Sequence, residues 1–80
     1  MHELGVLCQA VRRVDEIAVQ NGISIIKHIT LEVGTESTFV PAFFEKLFPV
    51  AVENLPRFKD SVLKIVMAPG RNLIIKDIGY

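Results

Sequence analysis

Ile23-Ser24-Ile25-Ile26-Lys27-His28-Ile29-Thr30-Leu31-Glu32-Val33-Gly34 is the stretch on which the fold turns. Ile25, Ile29, Leu31 and Val33 share one face, interrupted only by Lys27, while Ile26, His28, Thr30 and Glu32 share the other. A period of two, rich in β-branched residues, predicts a strand over 23–34 with one face in the core. The residues before it keep a different period. Leu4, Leu7, Val11, Val14, Ile17 and Ala18 recur every three or four positions between Glu3 and Gln20. That spacing predicts an amphipathic helix with Arg12, Arg13, Asp15 and Glu16 turned to water. Asn21-Gly22 is its stop, because glycine takes the left-handed conformation that closes a helix.

Beyond the strand, residues 34–38 (GTEST) read as a loop, and Pro41 suits the first turn of a second helix. Phe44, Leu47, Phe48, Ala51 and Leu55 would form its inner side. Pro49 predicts a kink or break near Glu45 to Phe48, since proline inside a helix removes a hydrogen bond and crowds the preceding turn. Pro56 ends the segment. Ser61 to Ala68 alternates as a second strand, Pro69-Gly70-Arg71-Asn72 is a turn by composition, and Leu73 to Tyr80 is a third strand. The order is αβαββ. A crossover helix between two strands favours a parallel pair, and the short turn predicts an antiparallel hairpin for the last two. The expected class is α/β of the α+β type, one domain over 1–80, with a three-stranded mixed sheet and two helices on one face. The other face would carry Ile26, His28, Thr30, Glu32, Val62, Lys64 and Val66. Its mixed composition suits an interface, and a bare edge strand also invites pairing.

The totals point the same way. Half of the 80 residues are apolar, although a chain this short buries only roughly 60–65% of its unfolded surface. The apolar excess predicts that a partner covers part of it, as in a homodimer or larger assembly. Nine basic residues balance nine acidic ones without blocks of either sign, so the electrostatic footprint of a nucleic-acid binder is missing. No segment is long and apolar enough to span a bilayer. Glu3 stands where a signal peptide carries positive charge, and the lone Cys8 forms no disulfide within the chain. Both features predict a cytoplasmic protein.

Catalytic constellations are missing. One Cys, two His and scattered hydroxyls supply no nucleophile with an evident base, no phosphate loop and no tetrahedral metal set, so no enzyme is expected. Cys8 reads as a small core residue of the first helix. His28 reads as an ordinary polar surface residue, with a binding contact as the lesser reading. Met1-His2-Glu3 differs. An N-terminal amine, a backbone amide and a second-position imidazole form fused five- and six-membered chelate rings. The amide of Glu3 can complete a planar set of nitrogens, an arrangement that favours Ni(II) or Cu(II). Its carboxylate could add an oxygen or neutralise charge. Many chains begin Met-His by chance, so these three residues alone also allow a site that binds nothing.

Met1-His2-Glu3-Leu4 running directly into a helix, then Asn21-Gly22, Leu31-Glu32-Val33-Gly34 and a Ser37-containing loop before Pro41, resembles the HypA/HybF family. These accessory proteins help insert nickel into [NiFe]-hydrogenases and, in some organisms, urease. The similarity covers nearly the whole chain. It implies Ni(II) as bound cargo on Met1, His2 and Glu3, and other nickel-enzyme maturation proteins as partners. Family members also carry a zinc ribbon with two CxxC pairs between the last two strands. Pro69-Gly70-Arg71-Asn72 stands in that place here, so no zinc is expected. The family's usual Gly-Glu-Leu-Ser-Gly loop is Gly34-Thr35-Glu36-Ser37-Thr38 in this chain, and an acidic residue common before the proline is Val40. Two functions follow: a nickel-binding accessory protein, or a protein-interaction module of the same descent that pairs with itself or a full-length relative.

Overall fold

A computed structural model describes residues 2–80. The first helix, α1, spans Glu3–Gln20, as its period requires. Leu7, Val11, Val14 and Ala18 are buried, while Leu4 at the helix start is largely exposed. The helix ends in a Schellman motif: Ile23 N–H reaches Ala18 O at 2.8 Å and Gly22 N–H reaches Val19 O at 3.3 Å. Gly22 supplies the left-handed residue, at φ 68°.

Strand β1 is His28–Gly34, shorter than the alternation suggested. Ile25 was expected beside Ile29, Leu31 and Val33, and Ile26 on the outer face. The structure reverses this pair: Ile25 is exposed and Ile26 is 0% exposed. The cause lies in the partners of this segment. Before His28 the chain runs beside a 3-10 turn, Pro56–Phe58, in place of a strand. Ile26 N–H donates to Arg57 O at 2.9 Å, and the Ser61 hydroxyl donates to Ile26 O. Without a ladder on both sides, strict alternation has nothing to enforce it.

Helix α2, Pro41–Ala51, contains Pro49 without a break. The expected break near Glu45 to Phe48 does not occur because Pro49 falls in the last turn. The carbonyl it leaves without a helical partner belongs to exposed Glu45, within reach of water. Phe44 and Phe48 are buried. Leu55 lies past the helix end but still packs against the core. Phe58, which the periodicity did not mark, is among the largest fully buried side chains.

Strands β2 (Val62–Ala68) and β3 (Leu73–Gly79) complete the sheet. The sheet order is β2-β1-β3, with β1 parallel to β2 and antiparallel to β3. The expected hairpin between the last two strands is therefore corrected: β3 crosses to the far side of β1. Two strand spacings are about 10 Å, and the four residues from Pro69 to Asn72 reach that far. Their path runs over the end of β1. Gly34 N–H donates to Asn72 O at 2.8 Å, Thr35 N–H to Ala68 O at 2.8 Å and Glu36 N–H to Gly70 O at 2.9 Å. A Cβ on Gly34 would collide with the Gly70 carbonyl, so the topology requires glycine there. In the β1–β3 register Leu31 faces Ile75 and Thr30 faces Asp77, which makes Lys76 a bulge.

The α+β architecture is as expected, with both helices and the Ile29, Leu31 and Val33 face of β1 sharing one core. The outer face carries His28, Thr30, Glu32, Lys64, Val62, Val66 and Ile74.

Candidate metal-binding N-terminus

His2 is the N-cap of α1, at φ −93° and ψ 54°, and its carbonyl accepts the Val6 N–H at 3.1 Å. Its imidazole is exposed and makes no capping bond. The next amides, those of Glu3, Leu4 and Gly5, belong to the first turn and have no helical acceptor. Met1 lies outside the described residues.

Glu3 turns inward. It is 3% exposed, and its Oε2 accepts the Val40 N–H at 3.0 Å. Val40 is the N-cap of α2 and offers only its backbone, having no side-chain oxygen to cap with. Glu3 thus joins the start of α1 to the start of α2. The Val40 amide holds its carboxyl below the usual range, and its own backbone amide adds to this, against the opposing pull of desolvation. Phe39, beside Val40, stacks obliquely on Phe44 with ring centroids 5.6 Å apart. The Ser37 hydroxyl donates to Gly34 O at 2.7 Å. The loop that faces the N-terminus is therefore tied at both ends.

His28 and Cys8 stand apart from this site. His28 Nε2 lies 3.3 Å from Asp77 Oδ1 across the β1–β3 pair. Thr30, buried on that face, hydrogen-bonds Asp77 and lowers its carboxyl, and His28 lowers it further. The imidazole lies over Gly79, where a Cβ would meet the ring. Asp77 and Thr30 carried no signal in the sequence, because their meeting depends on β3 lying beside β1. Cys8 is half-buried. Arg57 was also missed. Its guanidinium donates to Ile23 O at 3.1 Å and to Asp15 Oδ1 at 3.2 Å, tying the irregular segment before β1 to α1. Among the described residues no three His, Cys, Asp or Glu side chains gather as a metal cluster, and no helix is long and apolar enough to cross a membrane.

The fold and this N-terminus define a small α+β domain whose chemically equipped feature is an exposed imidazole at the open end of a helix. The chain belongs to the HypA family, described as hydrogenase/urease nickel incorporation, metallochaperone, whose model matches residues 1–73. Among solved structures it is similar to the solution structure of the nickel metallochaperone HypA from Helicobacter pylori. The TM-score is 0.78 at 21% identity, over 96% of this chain and 72% of that one. No curated protein matches the sequence.

Proposed function

We propose that this chain is a nickel-binding accessory protein that holds Ni(II) as cargo at its N-terminus and passes it on during maturation of a nickel enzyme. The donors are the Met1 amine, the His2 imidazole and the amide nitrogens of His2 and Glu3. The observation that carries the reading is the exposed His2 imidazole at the N-cap of α1, next in the chain to the Glu3 amide. Family membership supports the same metal. A site built mainly of main-chain nitrogens needs no cluster of side chains. Planar nitrogen ligation suits Ni(II) over Zn(II), which prefers a tetrahedral set.

Glu3 has two parts in this scheme. Its nitrogen is a ligand. Its carboxylate, engaged with the Val40 amide, places that nitrogen and links the metal end of α1 to α2. A bound metal then lies at a surface, open to a receiving protein. Transfer follows from competition: each donor nitrogen must shed its proton to bind metal, so acidification weakens the hold.

Titration calorimetry of untagged protein tests this, with wild type beside His2→Ala. The expected result is one Ni(II) per chain for wild type and none for the variant, at equal melting temperature. Equal binding by both places the site elsewhere, and binding by neither leaves the interaction module as the function.

A further inference from the structure

We propose that Val40 is a positioning residue of the nickel site: its backbone amide, which no side chain of α2 accepts, draws in Glu3 and holds the first turn of α1 in a chelating conformation. This rests on the nickel reading of the N-terminus and adds a residue of α2 to it.

Helix α2 begins without the local devices that close a helix start. Val40 is its N-cap and has no side-chain oxygen, and Pro41 at the first helical position has no N–H. In a capping box the third helical residue, a Glu or Gln, reaches back to accept the N-cap N–H. That place belongs to Phe43, which cannot accept and stands 49% exposed. The Val40 N–H goes instead to Glu3 Oε2 at 3.0 Å, from 37 positions away. Glu3 thus fills the capping-box place of α2 from the first residue of α1, where it is 3% exposed. A carboxylate so far removed from water needs such a donor, so the bond is required from both ends.

The tie bears on the metal through one backbone torsion. The amide nitrogens of His2 and Glu3 stand at the two ends of the His2 N–Cα–C–N unit, and ψ of His2 sets whether they lie on the same side. At the observed 54° they are gauche, as a five-membered chelate ring needs. An N-cap in its usual extended region, with ψ about 135°, turns them apart. His2 makes no side-chain cap that would keep the first turn from fraying. The Val6 N–H closes that turn by donating to His2 O at 3.1 Å, and the Glu3 side chain pins it to α2. A turn already ordered loses less freedom when metal binds.

The test moves the cap back into α2. Phe43→Glu completes a local capping box at an exposed position, where its carboxylate stays hydrated while Glu3 must remain desolvated to compete. Repulsion between the two carboxylates then displaces Glu3 from Val40. Phe43→Gln repeats the test without the charge, and Phe43→Leu, which adds no acceptor, is the control. Nickel titration calorimetry of the untagged chain is read together with amide hydrogen exchange in the absence of metal. In Phe43→Glu the Val40 amide should stay protected, the Val6 amide should exchange faster, and the melting temperature should not fall. Nickel affinity should drop on the order of threefold to tenfold, although an added negative charge by itself would draw the cation. Phe43→Gln should move in the same direction, and Phe43→Leu should bind as wild type does. Unchanged or tighter nickel binding by Phe43→Glu and Phe43→Gln, an unchanged Val6 amide, or an equal loss in Phe43→Leu overturns the positioning role while the nickel reading stands. A wild type that binds no nickel, with the exchange pattern as expected, overturns the nickel reading and takes the positioning role with it.

Discussion

Replacing Gly34 with alanine tests the strand order directly. The new Cβ would occupy the place of the Gly70 carbonyl, and the next atoms it meets, Gly70 C and Arg71 Cα, are also backbone. No side chain can swing aside, so the 69–72 connection must lift off the end of β1. Lifting it costs the bonds it makes there: Gly34 N–H to Asn72 O and Glu36 N–H to Gly70 O. At about 1 kcal/mol net for each, the loss is about 2 kcal/mol. For a domain of this size that corresponds to a fall in Tm on the order of 10 °C. The assay is thermal unfolding followed by circular dichroism. Gly5→Ala serves as control. Gly5 lies within α1 with nothing near its missing Cβ, so alanine there should stabilise by up to about 1 kcal/mol through helix propensity. If β2 and β3 formed a hairpin, nothing would cross Gly34. A Gly34→Ala protein melting within about 3 °C of wild type would therefore refute the crossing.

One extra residue before Met1 should abolish stoichiometric nickel binding with no change in melting, because it removes the imidazole from the second position; calorimetry on both forms checks this. Glu3→Gln should keep a neutral acceptor for the Val40 amide while lowering the melting temperature, and should weaken nickel binding without abolishing it. In wild type the depressed carboxyl of Glu3 stabilises the fold fully above its ordinary value of 4.5, and that contribution is lost as pH falls through the lower folded value. Asp77 acts in the same sense from an ordinary value of 3.8. Denaturant midpoints should therefore be flat with respect to these two groups above about pH 5 and fall as pH drops through about 4, with a shallower fall in Glu3→Gln. Arg57→Met should cost about 1–2 kcal/mol by urea unfolding, since it leaves Ile23 O and Asp15 without their donor in a partly exposed setting.

The proposed N-terminal site rests partly on the sequence and partly on the fold. Its proposed donor nitrogens come from residue order alone, because an amine, an amide and a second-position imidazole are neighbours along the chain. The use of the Glu3 carboxylate could not be read there, since its partner Val40 is 37 positions away and contributes only a backbone amide. A backbone donor leaves no trace in residue type. The same holds for Arg57, whose role rests on a carbonyl 34 residues off and a carboxylate 42 residues off.

By itself the sequence determined the elements and most of the core. A 3.6-residue period with Gly22 behind it suffices for α1, and alternation over 28–34 suffices for the buried face of β1, because both patterns record local geometry. Where neighbours in space are distant in sequence, only the tertiary structure decided. A four-residue turn reads as a hairpin, yet it spans β1 because β1 has apolar residues along its core face and backbone to pair on both sides. A central strand satisfies two ladders where an edge strand satisfies one. That choice placed Asp77 beside His28, made Gly34 indispensable and left β2 with an open edge. Ile26 entered the core for a related reason: its backbone bonds to a turn and a hydroxyl rather than a strand, so the chain was free to rotate its side chain inward.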